Sequence, residues 1–464
     1  MKSAIYSALM AAVAIVALPS CNEIEDGVTD IDSWPSPGGE TEVYEPKTYN
    51  LSNHPCILHT RTDIDYVKAH LGREPWAGGY QKLLNSGFSN NVRKASPWEY
   101  LARLDANNWA EGGGRWKDAG LEEYYKPGIQ NSYMDLARDA AAAYQLGLKW
   151  QLGGDTQAAQ TAVKLLEDWA SVNKGVLLGK IKWKDDVIDS NEYLMLFQIH
   201  HVANAAELLR DYNNWGASEG FRKVVDWLTG SWYPFAHSFL EKNVGDHWWM
   251  NWDLAAMTAI ISVGILAEDN DMVNEAILRF KQSEGPGCLG GKGVIGVFED
   301  PSGSGEMLAQ GNEAGRDQGH NTLCAVLVGY FCQMAYNIGE DLFAFKDNRA
   351  VAFAQYVAKY NNPNGTDKPA SADDAFFKYP ESSLPFTTYT YSGNSMTKMG
   401  SAGRGEVRPG WDIWASYCKA HGITGKYVSE YAEKYRPDGG CGQYGTNSGG
   451  FDQIGFSTLM YYRE

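Results

Sequence analysis

The sequence predicts an all-α protein whose helical hairpins close into an (α/α) toroid, an incomplete barrel surrounding a cleft. Three observations carry that expectation. From about residue 60 onward, apolar residues recur at helical spacing in string after string, and hardly any stretch alternates with strand period. Several strings end in short acidic or glycine-bearing turns ("GGDT", "AEDND", "IGED"), as suits antiparallel neighbours joined by tight loops. The intervals between these turns are unequal, which disfavours a regular solenoid and leaves a ring of about a dozen helices.

In chain order, the first segment is not part of that ring. "MKSAIYSALMAAVAIVALPSC", residues 1–21, joins a basic start to an apolar run from Ala4 to Leu18 and small residues before Cys21, the form of an export signal. The run is short for a membrane span. Its "LPSC" ending resembles a bacterial lipoprotein signal. Cys21 is therefore expected to carry a lipid that holds an exported lipoprotein on a membrane, at the outer membrane, the cell surface or in the periplasm. Residues 22–50 are acidic, rich in Gly and Pro and without periodicity, and read as a flexible tether. Residues 51–464 are assigned to the toroid.

Within the toroid, "YMDLARDAAAAYQLGLKWQL" places Tyr133, Leu136, Ala140, Tyr144 and Leu148 on one stripe. Gly153 and Gly154 stop that helix, and Asp155 caps the next, whose stripe is Ala159, Val163, Leu166 and Trp169. Further helical strings are "EYLMLFQIHHVANAAELLRDY", "FRKVVDWLTGSWYPFAHSFLE", "WDLAAMTAIISVGILAED", "TLCAVLVGYFCQMAYNIGED" and "RAVAFAQYVAKYN". The glycine-rich "GGKGVIG" lacks a phosphate-loop Lys-Ser/Thr and reads as a loop. "DNDMVNEA" lacks the glycine and terminal glutamate of a calcium loop, and helix capping explains it.

Composition excludes several classes of function. An apolar content of 44% is ample for a core, so the chain is not a disordered one. A net charge of −17 without clustered Lys or Arg argues against a nucleic-acid partner, while leaving room for an acidic polymer held by cations gathered in one cleft. Beyond Cys21 the six cysteines show no CxxC and no paired metal spacing, so a zinc knuckle is not expected, and no metal or cofactor is assigned.

Two segments concentrate the chemistry. "GNEAGRDQGHNTL" carries Glu313, Arg316, Asp317, Gln318 and His320 directly before an apolar helix. Arg316 and His320 form an i, i+4 pair, Arg316 offering a planar fork for a carboxylate and His320 an imidazole for proton transfer or sugar binding, with Glu313 steadying Arg316. "GDHWWMNWDLAAM" sets His247 and Asn251 four apart among Trp248, Trp249 and Trp252, with Asp246 placed to orient His247. Such rings pack cores, and they also stack on sugar faces; Trp249 and Trp252 are taken as the sugar-facing pair. His201 is a further candidate for the cleft. Tyr133, Tyr193, Tyr389 and Tyr391 are candidates for a proton donor.

"NHPCILHTRTDIDYVKAHL", "NAAELLRDY", "MNWDLAAMTA", "EAGRDQGHNTL", "RPGWDIWASY" and the closing "RPDGGCGQYGTNSGGFDQIGFSTLMYYR" resemble segments of the alginate-lyase-like polysaccharide lyases, over nearly the whole mature chain. The resemblance implies a metal-free lyase that cleaves a uronic-acid polymer, alginate or glucuronan-like, by β-elimination. Asn251 matches the carboxylate-neutralising Asn of that family; together with the residue patterns above, catalysis is expected of Asn251, His247, Arg316 and His320, and substrate binding of Glu313, Gln318, Trp252, Trp249, His201 and Tyr133. In the best-known branch a His follows the Asn directly, and here Trp252 stands there, so His247 and His320 both remain candidates for the base. The chemistry demands that the amide of Asn251 and the guanidinium of Arg316 converge on one sugar carboxylate, because the C5 proton is only weakly acidic until that charge is neutralised. A glycoside hydrolase on a related toroid needs two facing carboxylates, for which Asp246, Asp253 and Glu313 are the candidates. A non-catalytic glycan-binding lipoprotein would bind polymer without shortening it.

Overall fold

The helices expected from periodicity form hairpins in which inner and outer members alternate. A computed structural model describes residues 42–103, 126–177, 190–245, 248–444 and 450–464, all within one unit. The signal segment, most of the tether, and Asp246 and His247 lie outside the described residues. Helices α1 (Arg61–His70) and α2 (Trp76–Leu84) precede the first long pair, α3 (Tyr133–Gly153) and α4 (Thr156–Val172). Then come α5 (Ile199–Leu209), α6 (Glu219–Trp227), α7 (Tyr233–Lys242), α8 (Met250–Ala267) and α9 (Asn270–Lys281). The later helices are α10 (Gln318–Asn337), α11 (Phe345–Asn361), α12 (Trp411–Ala420), α13 (Lys426–Tyr435) and α14 (Ser457–Tyr461).

Helices α3, α5, α8, α10 and α12 pack each on the next and make the inner wall, while α4, α6, α9, α11 and α13 back them from outside. The short α14 joins α12 to α1 and α2 and returns the ring to α3. Burial separates the two layers. All but one of the 18 residues of α8 are buried, and α8 is apolar enough to cross a membrane, yet it lies inside the protein. Outer helix α6 keeps only Phe221, Val224 and Trp227 inside.

The turns behave as their residues dictate. Gly154, at φ 70°, closes α3 in the left-handed conformation that favours glycine, and Asp155 caps α4 by accepting from the Ala158 N–H. Asp269 caps α9 in the same way. These tight connections make each pair antiparallel, so the inner helices all run in one direction and their N-termini gather at one end of the ring.

Three features depart from expectation. The docked chain begins earlier than residue 51. Lys47 and Tyr49 donate their backbone N–H groups to Asn274 and Asn270 of α9, at 2.8 and 2.7 Å, so the described end of the expected tether is bound rather than free. Two antiparallel hairpins interrupt the helices, β1 (Val294–Glu299) with β2 (Met307–Gly311) and β3 (Tyr389–Tyr391) with β4 (Asn394–Met396). β1 begins inside the glycine-rich segment read as a loop. Between α6 and α7 the helix continues through a π-turn at Leu228–Trp232.

Candidate active site

The site grows from the N-termini of α8 and α10, which meet through one carboxylate. Glu313, fully buried, accepts from the Asn251 side-chain amide at 2.5 Å and from the Asn251 backbone N–H at 3.2 Å. The first N–H groups of a helix have no partner inside it, so an anion there is doubly favoured, by hydrogen bonding and by the helix dipole. Its other oxygen accepts from Arg316 Nη1 at 3.2 Å. Asn251 and Arg316 therefore converge on a single buried group.

The same pattern repeats one step along. Asp317 caps α10, accepting from the His320 backbone N–H at 2.9 Å, and its second oxygen accepts from His320 Nδ1 at 2.7 Å. That oxygen also lies 3.5 Å from Arg316 Nε. Burial alone would raise the Asp317 carboxyl, but the His320 hydrogen bonds and the Arg316 charge outweigh it and hold the group below its ordinary value. With Nδ1 committed to Asp317, the imidazole has one tautomer when neutral and turns Nε2 outward. Asn251, Glu313, Arg316, Asp317 and His320 thus form a continuous relay of donors and acceptors.

Backbone packing fixes the loop that carries Arg316. The Tyr389 hydroxyl donates to the Asn312 carbonyl at 2.6 Å and accepts from the Gly315 N–H at 3.0 Å. Gly400 donates to the Ala314 carbonyl at 2.8 Å and approaches so closely that an added Cβ would lie 2.5 Å from the Arg316 carbonyl carbon. The Arg316 guanidinium stands 4.8 Å over the Trp249 ring, which in turn leans on Tyr391 at 4.3 Å.

The other expected site residues divide. Trp249 lines the site. Trp252 is 6% exposed and packs on Phe239 and Trp248, because its place on α8 faces the core, so it is a core residue and not a sugar platform. Gln318 is fully buried, its amide donating to the Ala314 and Gly400 carbonyls and its oxygen accepting from Asn321 and Asn361. With its hydrogen-bonding capacity spent inside the protein, it braces the loop and does not bind substrate. Glu313 is likewise a positioning residue, sealed beneath Asn251 and Arg316. His201 is fully buried against Cys441, with Nδ1 3.5 Å from the sulfur, and burial drives its imidazole down to about 3. Such a ring is neutral and out of reach of a saccharide. Tyr389 and Tyr391 are buried, with hydroxyls given to the Asn312 and Trp248 carbonyls. Tyr193 is buried and accepts from Lys242.

Tyr133 is half-buried at the N-terminus of α3. Arg103 stands 4.7 Å over its ring. Arg103, Arg408 and His320 all act electrostatically on Asp452, a buried carboxyl that burial pushes up to about 6 against their opposing pull. Arg408 reaches the same place, donating to Gln453 at 2.6 Å and to the Gly319 carbonyl at 3.2 Å. Sequence reasoning passed over Arg103, Arg408 and Asp452, and gave Asp317 no role. Arg408 and Asp452 sit in segments noted above only for their resemblance, "RPGWDIWASY" and "GGFDQIG", and no spacing tied them to residue 320.

Comparison with known proteins bears on the family and the fold. The sequence model of the alginate lyase family matches residues 105–366, more than half of the 464-residue chain. No curated protein matches. Among solved structures, the chain is similar to an alginate lyase from Bacteroides ovatus at 13% identity and a TM-score of 0.53, covering 89% of this chain and 100% of that one. It is also similar to alginate lyase A1-III from Sphingomonas species A1 at 15% identity and a TM-score of 0.48, covering 87% and 95%. The chain belongs to the alginate lyase family of polysaccharide lyases, on an (α/α) toroid.

Proposed function

We propose that this lyase cleaves a uronic-acid-containing polymer, alginate or glucuronan-like, by β-elimination at the junction of α8 and α10. The observation that carries the reading is the shared Glu313 carboxylate, which brings the Asn251 amide and the Arg316 guanidinium to one point. Together they would neutralise the sugar carboxylate, lowering the cost of the charge that spreads onto it when C5 loses its proton. His320 is the base, with Asp317 fixing its tautomer so that Nε2 meets the C5 proton. The electron pair left at C5 forms the C4–C5 double bond as the C4–O4 bond breaks. We assign to Tyr133, at the N-terminus of α3, the proton that O4 takes up. Trp249 stacks on the sugar and steadies Arg316. The alternative with two facing acids finds no support among the described residues. Asp253 is bound by Arg279, Asn243 and the Gly287 N–H, and Glu313 by Asn251 and Arg316.

The test is a panel of uronate polymers followed by the ultraviolet absorbance of the unsaturated product. At least one polymer should give signal, and Asn251→Ala, Arg316→Ala and His320→Gln proteins that remain folded should lose it by about 10²-fold or more. Shortened polymer without unsaturated ends would point to hydrolysis and end the proposal. The lipoprotein anchor at Cys21 is proposed on the signal sequence alone, and labelling with a radioactive fatty acid in cells, abolished by Cys21→Ala, tests it.

A further inference from the structure

Away from this site, three side chains with metal-ligating atoms meet where the N-terminal strap crosses the far end of the inner ring. His54 Nδ1 lies 2.8 Å from Glu207 Oε1 and 3.9 Å from Cys56 Sγ, and all three ligating atoms fall within 4.8 Å of one another. Glu207 is on α5, and the cluster abuts Glu268, the residue that follows α8. Seventeen residues of helix separate Glu268 from Asn251, about 25 Å at the usual rise, so the cluster is remote from the active site.

We propose that His54, Cys56 and Glu207 bind one divalent ion of the zinc class, with water as the fourth ligand. Nitrogen, thiolate sulfur and carboxylate oxygen are the donors such an ion takes. In a tetrahedral site their mutual separations come to about 3.3–3.6 Å, so the ring and the carboxylate need to part by about half an ångström and the sulfur to move in toward both.

The surroundings are those of a built site. Glu268 Oε1 accepts from His54 Nε2 at 3.1 Å, the outer hydrogen bond that frees Nδ1 to ligate. Glu268 ends α8 in the left-handed conformation, φ 57°, with its backbone N–H returned to the last turn of the helix. Arg210 Nε holds the other Glu207 oxygen at 2.7 Å, and the Cys56 N–H donates to Oε1 at 2.8 Å. The Cys56 thiol lies 3.7 Å from the Leu51 carbonyl, to which it donates in the ion-free site, and 3.9 Å from His54 Nδ1. Ligation takes the thiolate form of Cys56, which a cation opposite the sulfur stabilises. Binding then releases the thiol proton, and the His54 Nδ1 proton where present, to solvent. The ion would pin the strap at residues 54–56 to α5. Sequence spacing gave no hint of it, since the third ligand lies 151 residues beyond Cys56.

Equilibrium dialysis of the purified full chain against Co(II) and Zn(II) tests the site. One ion should bind per chain, and the cobalt form should show a thiolate-to-metal charge-transfer band in the near ultraviolet. Cys56→Ser should abolish the band, and Arg316→Ala should leave it intact. Should Cys56→Ser fail to fold, His54→Gln provides the second arm: zinc raises the melting temperature of the wild type and not of this variant. A wild-type chain that gives no thiolate band with saturating cobalt, a band that survives Cys56→Ser, or an equal zinc shift in wild type and His54→Gln overturns the proposal. None of these readouts depends on turnover, so the lyase reading stands or falls separately.

Discussion

Replacing Glu313 with Gln is the most discriminating change in the proposed site, because the new side chain keeps its shape and touches no substrate. Glu313 accepts two hydrogen bonds from Asn251 and one from Arg316, with the Cys324 thiol a weak fourth donor at 4.0 Å. A glutamine has one acceptor oxygen and one amide, and the amide would face either the Asn251 amide or the guanidinium, donor against donor. At least one charge-assisted hydrogen bond is lost, about 1.5–3 kcal/mol. The larger cost of orphaning a buried cation, about 3–5 kcal/mol, is an upper bound here, since Arg316 is 19% exposed and retains Asp317 nearby. The fold should survive, with a urea midpoint lowered by the equivalent of about 2 kcal/mol. The active site should not. A displacement of about 1 Å in either donor costs about 10²-fold, expressed in kcat and less in KM, because the contacts that suffer are those that strengthen as charge develops. Steady-state kinetics by ultraviolet absorbance, with circular dichroism as the folding control, checks this. A folded Glu313→Gln enzyme whose kcat stays within about twofold of the wild type would refute the argument that one buried carboxylate preorganises both donors.

Three further outcomes follow from the same geometry. Gly400→Ala, which places a methyl 2.5 Å from the Arg316 backbone, should displace the loop and lower kcat by about 10²-fold while leaving the helical circular dichroism unchanged; full activity would show that the loop yields freely. Asp317 is held below its ordinary 3.8, so its contribution to stability is present at neutral pH and lost as pH falls through the depressed value; the deficit of His320→Gln, about 1–3 kcal/mol at pH 7, should shrink below about pH 4, and a deficit that widened in acid would contradict the pairing. Asp452 is raised to about 6, so the fold favours its neutral form and loses that stabilisation as pH rises through 6; Asp452→Asn should stabilise the protein by up to about 3 kcal/mol at pH 8 and by almost nothing at pH 4, compared by urea midpoints.

The helices were legible because each buries one stripe at a fixed period, and that signal is local. Gly154 and Asp155 marked a turn for the same reason: a left-handed residue and a capping carboxylate announce themselves within four positions. Facing was harder. Trp249 and Trp252 look alike in the sequence, yet Trp249 is the N-cap residue of α8 at the cleft, and Trp252, inside the helix, turns to the core. Gln318 and His201 carry hydrogen-bonding groups that suit a saccharide, and only the three-dimensional contacts show those groups spent or sealed inside. Asp317 was in plain view, but its task depends on a rotamer that lets one carboxylate cap α10 and hold an imidazole. Arg103 and Asp452 are separated by about three-quarters of the chain, and no periodic signal links such residues.

An acidic protein gains a cationic cleft through the direction of its inner helices. The chain carries a net charge of −17, and a polyuronate is repelled by that field at long range. Around the N-termini of the inner helices cationic groups gather, although Glu406 pairs with Arg408 there. The inner helices run the same way, so their positive dipole ends, each equivalent to about half an elementary charge, gather around one opening. Arg103, Arg316 and Arg408 stand at that end, with Asn251 adding a donor that carries no charge. Glu313 and Asp317 do not cancel this field where it matters, because each is committed to donors of the protein and screened from the opening by Asn251, Arg316 or His320. Salt should therefore act on this enzyme in two opposing ways, relieving the long-range repulsion and weakening the short-range grip. Grip falls off less, because the groups that supply it are largely withdrawn from solvent and poorly screened. The arrangement lets a strongly acidic surface coexist with recognition of an anionic chain, and it locates the recognition where the helices begin.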